Sequence, residues 1–182
     1  AAVKQAAQVI GKSEEKPELI LGLRDNPNRT LQETCLLAEL LEIESDYEAV
    51  DALLVESEHA SDLLILTQRI RSLMARELWE KAAEATKDLI EGQGGRKSLF
   101  VRNLVNLYER AGKTDEALKW LPEWKTMSPG SIEPWLTEAN LLRSERKTEE
   151  AIKVLRLAAN KFEGDTTVLS ELAQVYTEDG KS

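Results

Sequence analysis

One feature constrains this chain more than any other: segments of it resemble segments 34 positions further on. Ser98-Leu99-Phe100-Val101 leads to Tyr108-Glu109-Arg110-Ala111-Gly112-Lys113-Thr114-Asp115-Glu116-Ala117. A shift of 34 brings Ile132-Glu133-Pro134-Trp135, leading to Lys147-Thr148-Glu149-Glu150-Ala151. A further shift brings Thr166 onward, with Leu169, Leu172, Ala173, Tyr176 and Gly180. Upstream the pattern is looser. Leu63, Leu66, Ile70 and Leu73 precede Leu78-Trp79-Glu80-Lys81-Ala82 and Leu89, while Leu37, Ala38 and Leu41 precede Asp46-Tyr47-Glu48-Ala49-Val50, Leu53 and Leu54. Starts near 31, 63, 98, 132 and 166 give spacings of 32, 35, 34 and 34. A period of this size marks repeated supersecondary units that bury their apolar faces only by stacking on one another.

Within each period the apolar residues recur at three and four, never in strict alternation, which predicts helices rather than strands. Thr30-x-x-Glu33 and Ser45-x-x-Glu48 have capping-box form, and Thr114 and Thr148 precede acidic first turns. Gly92-Gln93-Gly94-Gly95, Gly112, Pro129-Gly130 and Gly164 fall where helices should end. Each period therefore reads as helix-turn-helix, and the chain as an all-α, right-handed α-solenoid of stacked antiparallel helix pairs. The repeats are expected over residues 31–182, the last a half-repeat; residues 1–30 read as a helical segment whose frame the pattern does not set. Pro122 lies inside the predicted helix Thr114–Met127, where a proline removes one backbone bond. A kink is expected there, with Trp120 and Trp124 packing on either side, and a helix straight and unbroken through Pro122 would make the frame for this repeat wrong.

The repeat resembles the tetratricopeptide repeat, whose signature is Trp-x2-Leu-Gly-x2-Tyr, then Ala-x3-Phe, then Pro. The first large position is taken by Val101, Trp135 and Leu169. The leucine is matched by Leu104 and Leu172 and broken by Glu138. The small position is Val105, Ala139 and Ala173, and the tyrosine is Tyr108 and Tyr176 with Leu142 between. Ala117 and Ala151 keep the second-helix alanine, followed by Leu121 and Leu155 in place of phenylalanine. Pro129 closes one repeat, and Glu163 stands where the next proline belongs.

Charge is unevenly divided. Residues 1–62 hold five bases and fourteen acids, whereas residues 63–182 balance, and Thr30 to Gln68 contains no Lys or Arg at all. Such a field repels phosphate backbones and anionic lipid and favours a basic partner. No apolar stretch is long enough to span a bilayer as a helix, so neither nucleic acid binding nor membrane insertion is expected. One cysteine cannot form an internal disulfide, and the chain opens Ala1-Ala2-Val3-Lys4 with no signal-peptide pattern. The expectation is a cytoplasmic module of a larger protein.

Chemistry is sparse. His59 is the sole histidine and Cys35 the sole cysteine, so no rich His/Cys metal site and no ordinary catalytic triad can be assembled. His59 reads as a cation near a helix end, and Cys35 as a buried small hydrophobe. Gly92-Gln93-Gly94-Gly95-Arg96-Lys97-Ser98 lacks the contiguous Gly-Lys-Ser of a phosphate loop. Gly180-Lys181-Ser182 has it, but Val175 occupies the required first-glycine position; both stretches read as turns. No enzyme activity, cofactor or metal is expected.

The resemblance implies a concave wall lined by the first helix of each pair, binding a peptide or partner helix. On this frame the inward candidates are Gln68, Arg71, Arg102, Asn103, Asn106, Thr137, Asn140, Arg143, Ser170 and Gln174. Amides can pair with the backbone of a bound strand, and arginine can meet a carboxylate. The family's chaperone carboxylate clamp is not expected: Arg102 and Asn106 would mimic its first pair, but Thr137 replaces the required asparagine, and Thr167 and Glu171 replace its last lysine and arginine. Two other readings remain: self-association through the C-terminal half-repeat (Val168, Leu169, Leu172, Tyr176), and a helical-repeat RNA binder, which the acidic charge disfavours.

Overall fold

Four times among the described residues a first helix ends and a second begins through the same turn. In each, one residue takes a positive φ: Ser45 (61°), Glu77 (58°), Gly112 (69°) and Arg146 (60°). Gly180 (67°) lies 34 residues beyond Arg146 in the same conformation. The amide after the positive-φ residue bonds five residues back: Asp46 to the Leu41 carbonyl, Leu78 to Leu73, Lys113 to Tyr108, and Lys147 to Leu142, at 2.8–3.0 Å. The positive-φ residue's own amide bonds three back, to Glu42, Met74, Glu109 and Arg143. This is the Schellman arrangement, which satisfies carbonyls left over at a helix end. The residue that closes it then starts the next helix, since the carbonyls of Asp46, Leu78, Lys113 and Lys147 accept from Val50, Ala82, Ala117 and Ala151. All four acceptor-bound residues are fully buried.

Only glycine adopts positive φ without steric cost, roughly 1–2 kcal/mol for other residues. Arg146→Gly is therefore expected to raise stability by about 0.5–1 kcal/mol, and Gly112→Ala to lower it by about 1 kcal/mol. Urea midpoints of the two variants check this, and shifts of the opposite sign would refute it.

The computed structural model describes residues 2–92, 97–178 and Gly180. Among these it contains eleven helices and no strand: α1 (Ala2–Ile10), α2 (Lys16–Asp25), α3 (Leu31–Ile43), α4 (Tyr47–Glu56), α5 (Leu63–Ala75), α6 (Trp79–Gly92), α7 (Ser98–Arg110), α8 (Thr114–Met127), α9 (Glu133–Ser144), α10 (Thr148–Lys161) and α11 (Thr166–Glu178). The architecture is an α-solenoid of helix pairs in two compact units, Ala1–Gln93 and Gly94–Ser182.

In the first unit α3 and α4 pair, as do α5 and α6, and α5 packs on both members of the preceding pair. Leu37, Leu40, Val50, Leu54 and Ile65 form its core. In the second unit α7 pairs with α8 and α9 with α10, while α8 packs on α9 and α10 on α11. Leu104, Leu121 and Trp124 are buried there, and Ala139, Leu142, Ala151, Leu155 and Val175 cluster beyond them.

Several local expectations need correction. The Thr30–Glu33 capping box is present in both directions, but Ser45 takes the positive φ and Asp46 caps α4, accepting from the Ala49 amide at 3.2 Å. Thr114 and Thr148 are the first residues of their helices, not the caps. In all three places the Schellman turn displaces the cap, because its last residue already holds the position. α8 runs through Pro122 without interruption. Pro122 is exposed while Leu121 and Trp124 on the opposite side are buried and Trp120 is half-buried, so the frame stands on the turn rather than on a break at the proline. The glycine-rich stretch at 93–96 and the end at Lys181-Ser182 lie outside the described residues.

Candidate interaction face

The common turn sets a register for the first helices. Six residues before the positive-φ position stand Glu39, Arg71, Asn106, Asn140 and Gln174, and nine residues before it stand Leu36, Gln68, Asn103, Thr137 and Glu171. Arg102 and Ser170 sit one position earlier, and Arg143 three before the turn. The expected groove residues thus occupy repeating positions on α5, α7, α9 and α11.

In the N-terminal unit two of them are committed internally. Gln68 is 6% exposed and donates its side-chain amide to the Cys35 carbonyl at 3.2 Å. It is an interior tie between α5 and α3, not a surface amide, because α3 packs directly over it and a helical carbonyl keeps a second lone pair that can accept. Arg71 is exposed and ion-paired with Glu39, which is almost fully buried. Cys35 is buried, and loss of solvent pushes its thiol above the usual range, as suits a small core residue. His59 lies beyond the end of α4, its Nε2 3.0 Å from the Arg29 carbonyl, tying two loops together.

In the C-terminal unit Arg102 lies 3.6 Å from Glu133 of α9. Arg143 makes two bonds to Glu178 of α11, at 2.6 and 2.7 Å, and a longer one to Glu171 at 3.4 Å. It also donates to Asn140 at 3.3 Å. The Arg143 bonds, with a second donor from Gln174, hold the Glu178 carboxyl below the usual range. Each of the three arginines expected to meet a partner's carboxylate therefore already holds a glutamate of the neighbouring first helix. Glu39, Glu133 and Glu178 were not among the expected site residues, although each is an acid on the first helix next to its arginine's own. Asn103, Asn106, Asn140, Ser170 and Gln174 are exposed, and Thr137 is half-buried.

The expected open end is narrower than four residues. Val168 is fully buried, and Leu172 and Tyr176 pack on the core with Val175, leaving Leu169 as the half-exposed member. Among the described residues no three His, Cys, Asp or Glu side chains gather as a metal site, and no helix is long and apolar enough to cross a membrane.

On α3, Glu42 is half-buried, its Oε1 inaccessible and without a well-formed hydrogen bond, although the Ser72 hydroxyl lies beside the carboxyl. Burial pushes the Glu42 carboxyl above the usual range, outweighing the Ser72 hydroxyl, which pulls it down; nearby Glu39 adds to the rise, and Arg71 and Arg76 oppose it. A carboxyl raised in the folded state holds protons that the unfolded chain releases. Its contribution is most favourable below the unfolded value and declines as pH rises through the folded one. Glu42→Gln is therefore expected to stabilise the unit at pH 7.5, with the gain shrinking by pH 4.5. Urea midpoints at the two pH values check this, and an equal shift at both would refute the burial argument.

No family model matches the chain, and no curated protein does either. Solved structures do. YrrB, described as a tetratricopeptide repeat protein with an unusual peptide-binding site, superposes with a TM-score of 0.57 at 13% identity, over 90% of this chain and 84% of that one. A tetratricopeptide repeat protein from Parabacteroides merdae gives 0.56 at 18% identity, over 91% of this chain and 66% of that one. With the recurring turn, the buried small residue that follows it and these superpositions together, the chain has the tetratricopeptide-repeat fold.

Proposed function

We propose that this chain is a non-catalytic protein-interaction scaffold whose first helices bind a peptide or partner helix. The observation that carries the reading is the division of labour on the C-terminal unit. Arg102 and Arg143 are held by glutamates, while the amides of Asn103, Asn106 and Asn140 stand exposed at repeating positions. Such a face suits recognition of a peptide backbone, which presents alternating donors and acceptors, better than recognition of a free carboxylate. The peptide-binding site for which YrrB is described supports the same class of ligand.

The test is selection from a displayed library of random twelve-residue peptides. Asn106→Ala/Asn140→Ala is expected to weaken the selected peptides about tenfold, from two lost hydrogen bonds of roughly 0.5–1.5 kcal/mol each. Lys153→Ala/Asn160→Ala, on exposed positions of α10, should leave them unchanged. Peptides indifferent to the asparagines, or equally sensitive to both variants, would end this reading.

A further inference from the structure

α1 and α2 do not form a third hairpin. Both pack on α3 instead, and α1 lies on the side that carries Cys35, Glu39 and Ile43. Ala7 is buried there, and Val3 and Ile10 join the same core. Gly11 sits so close that a Cβ would stand 3.0 Å from Ile43 Cδ1. Cys35, Glu39, Glu42 and Ile43 of α3 hold the same register as Arg102, Asn106, Glu109 and Arg110 of α7. The face that is open on the C-terminal unit is thus occupied, on this one, by the chain's own first nine-residue helix.

The fit is imperfect. A cavity of about 390 Å³ remains between Val3, Lys4, Cys35, Glu39, Gln68 and Arg71. A second of about 230 Å³ is lined by Lys4, Gln8, Glu39, Glu42, Tyr47 and Ser72, among others. In the second, Ser72 is 3% exposed and its hydroxyl lies beside the Glu42 carboxyl, whose Oε1 is inaccessible; neither makes a well-formed hydrogen bond. Leaving such groups unsatisfied costs more than a bond would gain. α1 offers this cavity Gln8 and a single cation, Lys4, on a helix too short to be stable alone and held by three aliphatic side chains at positions 3, 7 and 10. A second cation at the place of Gln8 would join Lys4 in a cavity lined by Glu39 and Glu42, and the surrounding chain, without Lys or Arg from 30 to 68, favours one.

We propose that this face of the N-terminal unit is a docking groove for a basic amphipathic helix, filled by α1 until such a partner displaces it. The partner carries small or aliphatic residues spaced as Val3, Ala7 and Ile10, and a lysine or arginine where α1 has Gln8. The proposal rests on the scaffold reading above, but its test is separate, since it touches none of the asparagines of the other unit.

The probes are fluorescein-labelled peptides of residues 2–15, native and Gln8→Lys. They are titrated into the full chain and into Val3→Asp/Ile10→Asp, which releases α1. The released chain is expected to bind the Gln8→Lys peptide at least fivefold more tightly than the native one, with Glu42→Gln erasing the difference. The intact chain should bind both at least tenfold more weakly. Equal binding to intact and released chains, equal affinity of the two peptides, or no binding by a released chain of unchanged helicity would overturn the proposal. If the double substitution unfolds the unit, hydrogen exchange in the intact chain decides. Gln8→Lys should then slow exchange of the α1 amides at least threefold, and only while Glu42 is present; no slowing, or slowing that persists in Glu42→Gln, overturns it.

Discussion

Trp124→Ala is expected to cost the C-terminal unit about 3–5 kcal/mol, the range for emptying a buried tryptophan site. Trp124 is 1% exposed and is the largest fully buried side chain among the described residues. It lies on the inner side of α8 with Ala117 and Leu121, opposite the exposed Pro122. In a stack of short hairpins, each interface stabilises its neighbours, so a cavity here weakens the docking of α8 on both α7 and α9, the helices it contacts. A domain this size has about 5–15 kcal/mol of stability in all. The loss should therefore appear as a much lower urea midpoint by circular dichroism, a probe that does not depend on the deleted indole. A change below about 1 kcal/mol would show that the site collapses around the truncation.

Ala117→Leu is expected to destabilise by about 1–3 kcal/mol, by overpacking rather than by emptying. Ala117 is fully buried, and its amide bonds the Lys113 carbonyl at 3.0 Å in the first turn of α8. That bond fixes the backbone just where α8 leaves the turn, so the helix cannot slide away to admit three more carbons. Val50 holds the equivalent place in the N-terminal unit, also fully buried. The position therefore admits a larger residue when its surroundings are built for one. Ala117→Val should cost less than Ala117→Leu, and thermal melts of the pair check the order. Equal stability of the leucine variant would show that the hairpin is not closely packed here.

Much of the fold was legible because its causes are local. Apolar spacing identifies the inner side of each helix, and the turn recurs because the residue before each second helix must cap it while closing the previous one. The positive φ itself was visible only where glycine marks it, at Gly112 and Gly180; Ser45, Glu77 and Arg146 adopt it without any compositional sign. That hid the true cap at Asp46. The candidate site was less legible. Arg71, Arg102 and Arg143 are correctly placed on the first helices, yet their charges are engaged by glutamates about 30 residues away. Gln68 reads as a surface amide until α3 is seen to cover it.

The sequence alone determined the helices, their period and the sign of the field around the N-terminal third, since these depend on the order of apolar, capping and charged residues along the chain. Only the tertiary structure decided which charges remain available, that α1 lies against α3 rather than pairing with α2, and that the half-buried Glu42 is brought beside the buried Ser72. The reason is physical: burial and ion pairing join residues from different helices at distances of a few ångströms, and no local pattern of residue types carries that information.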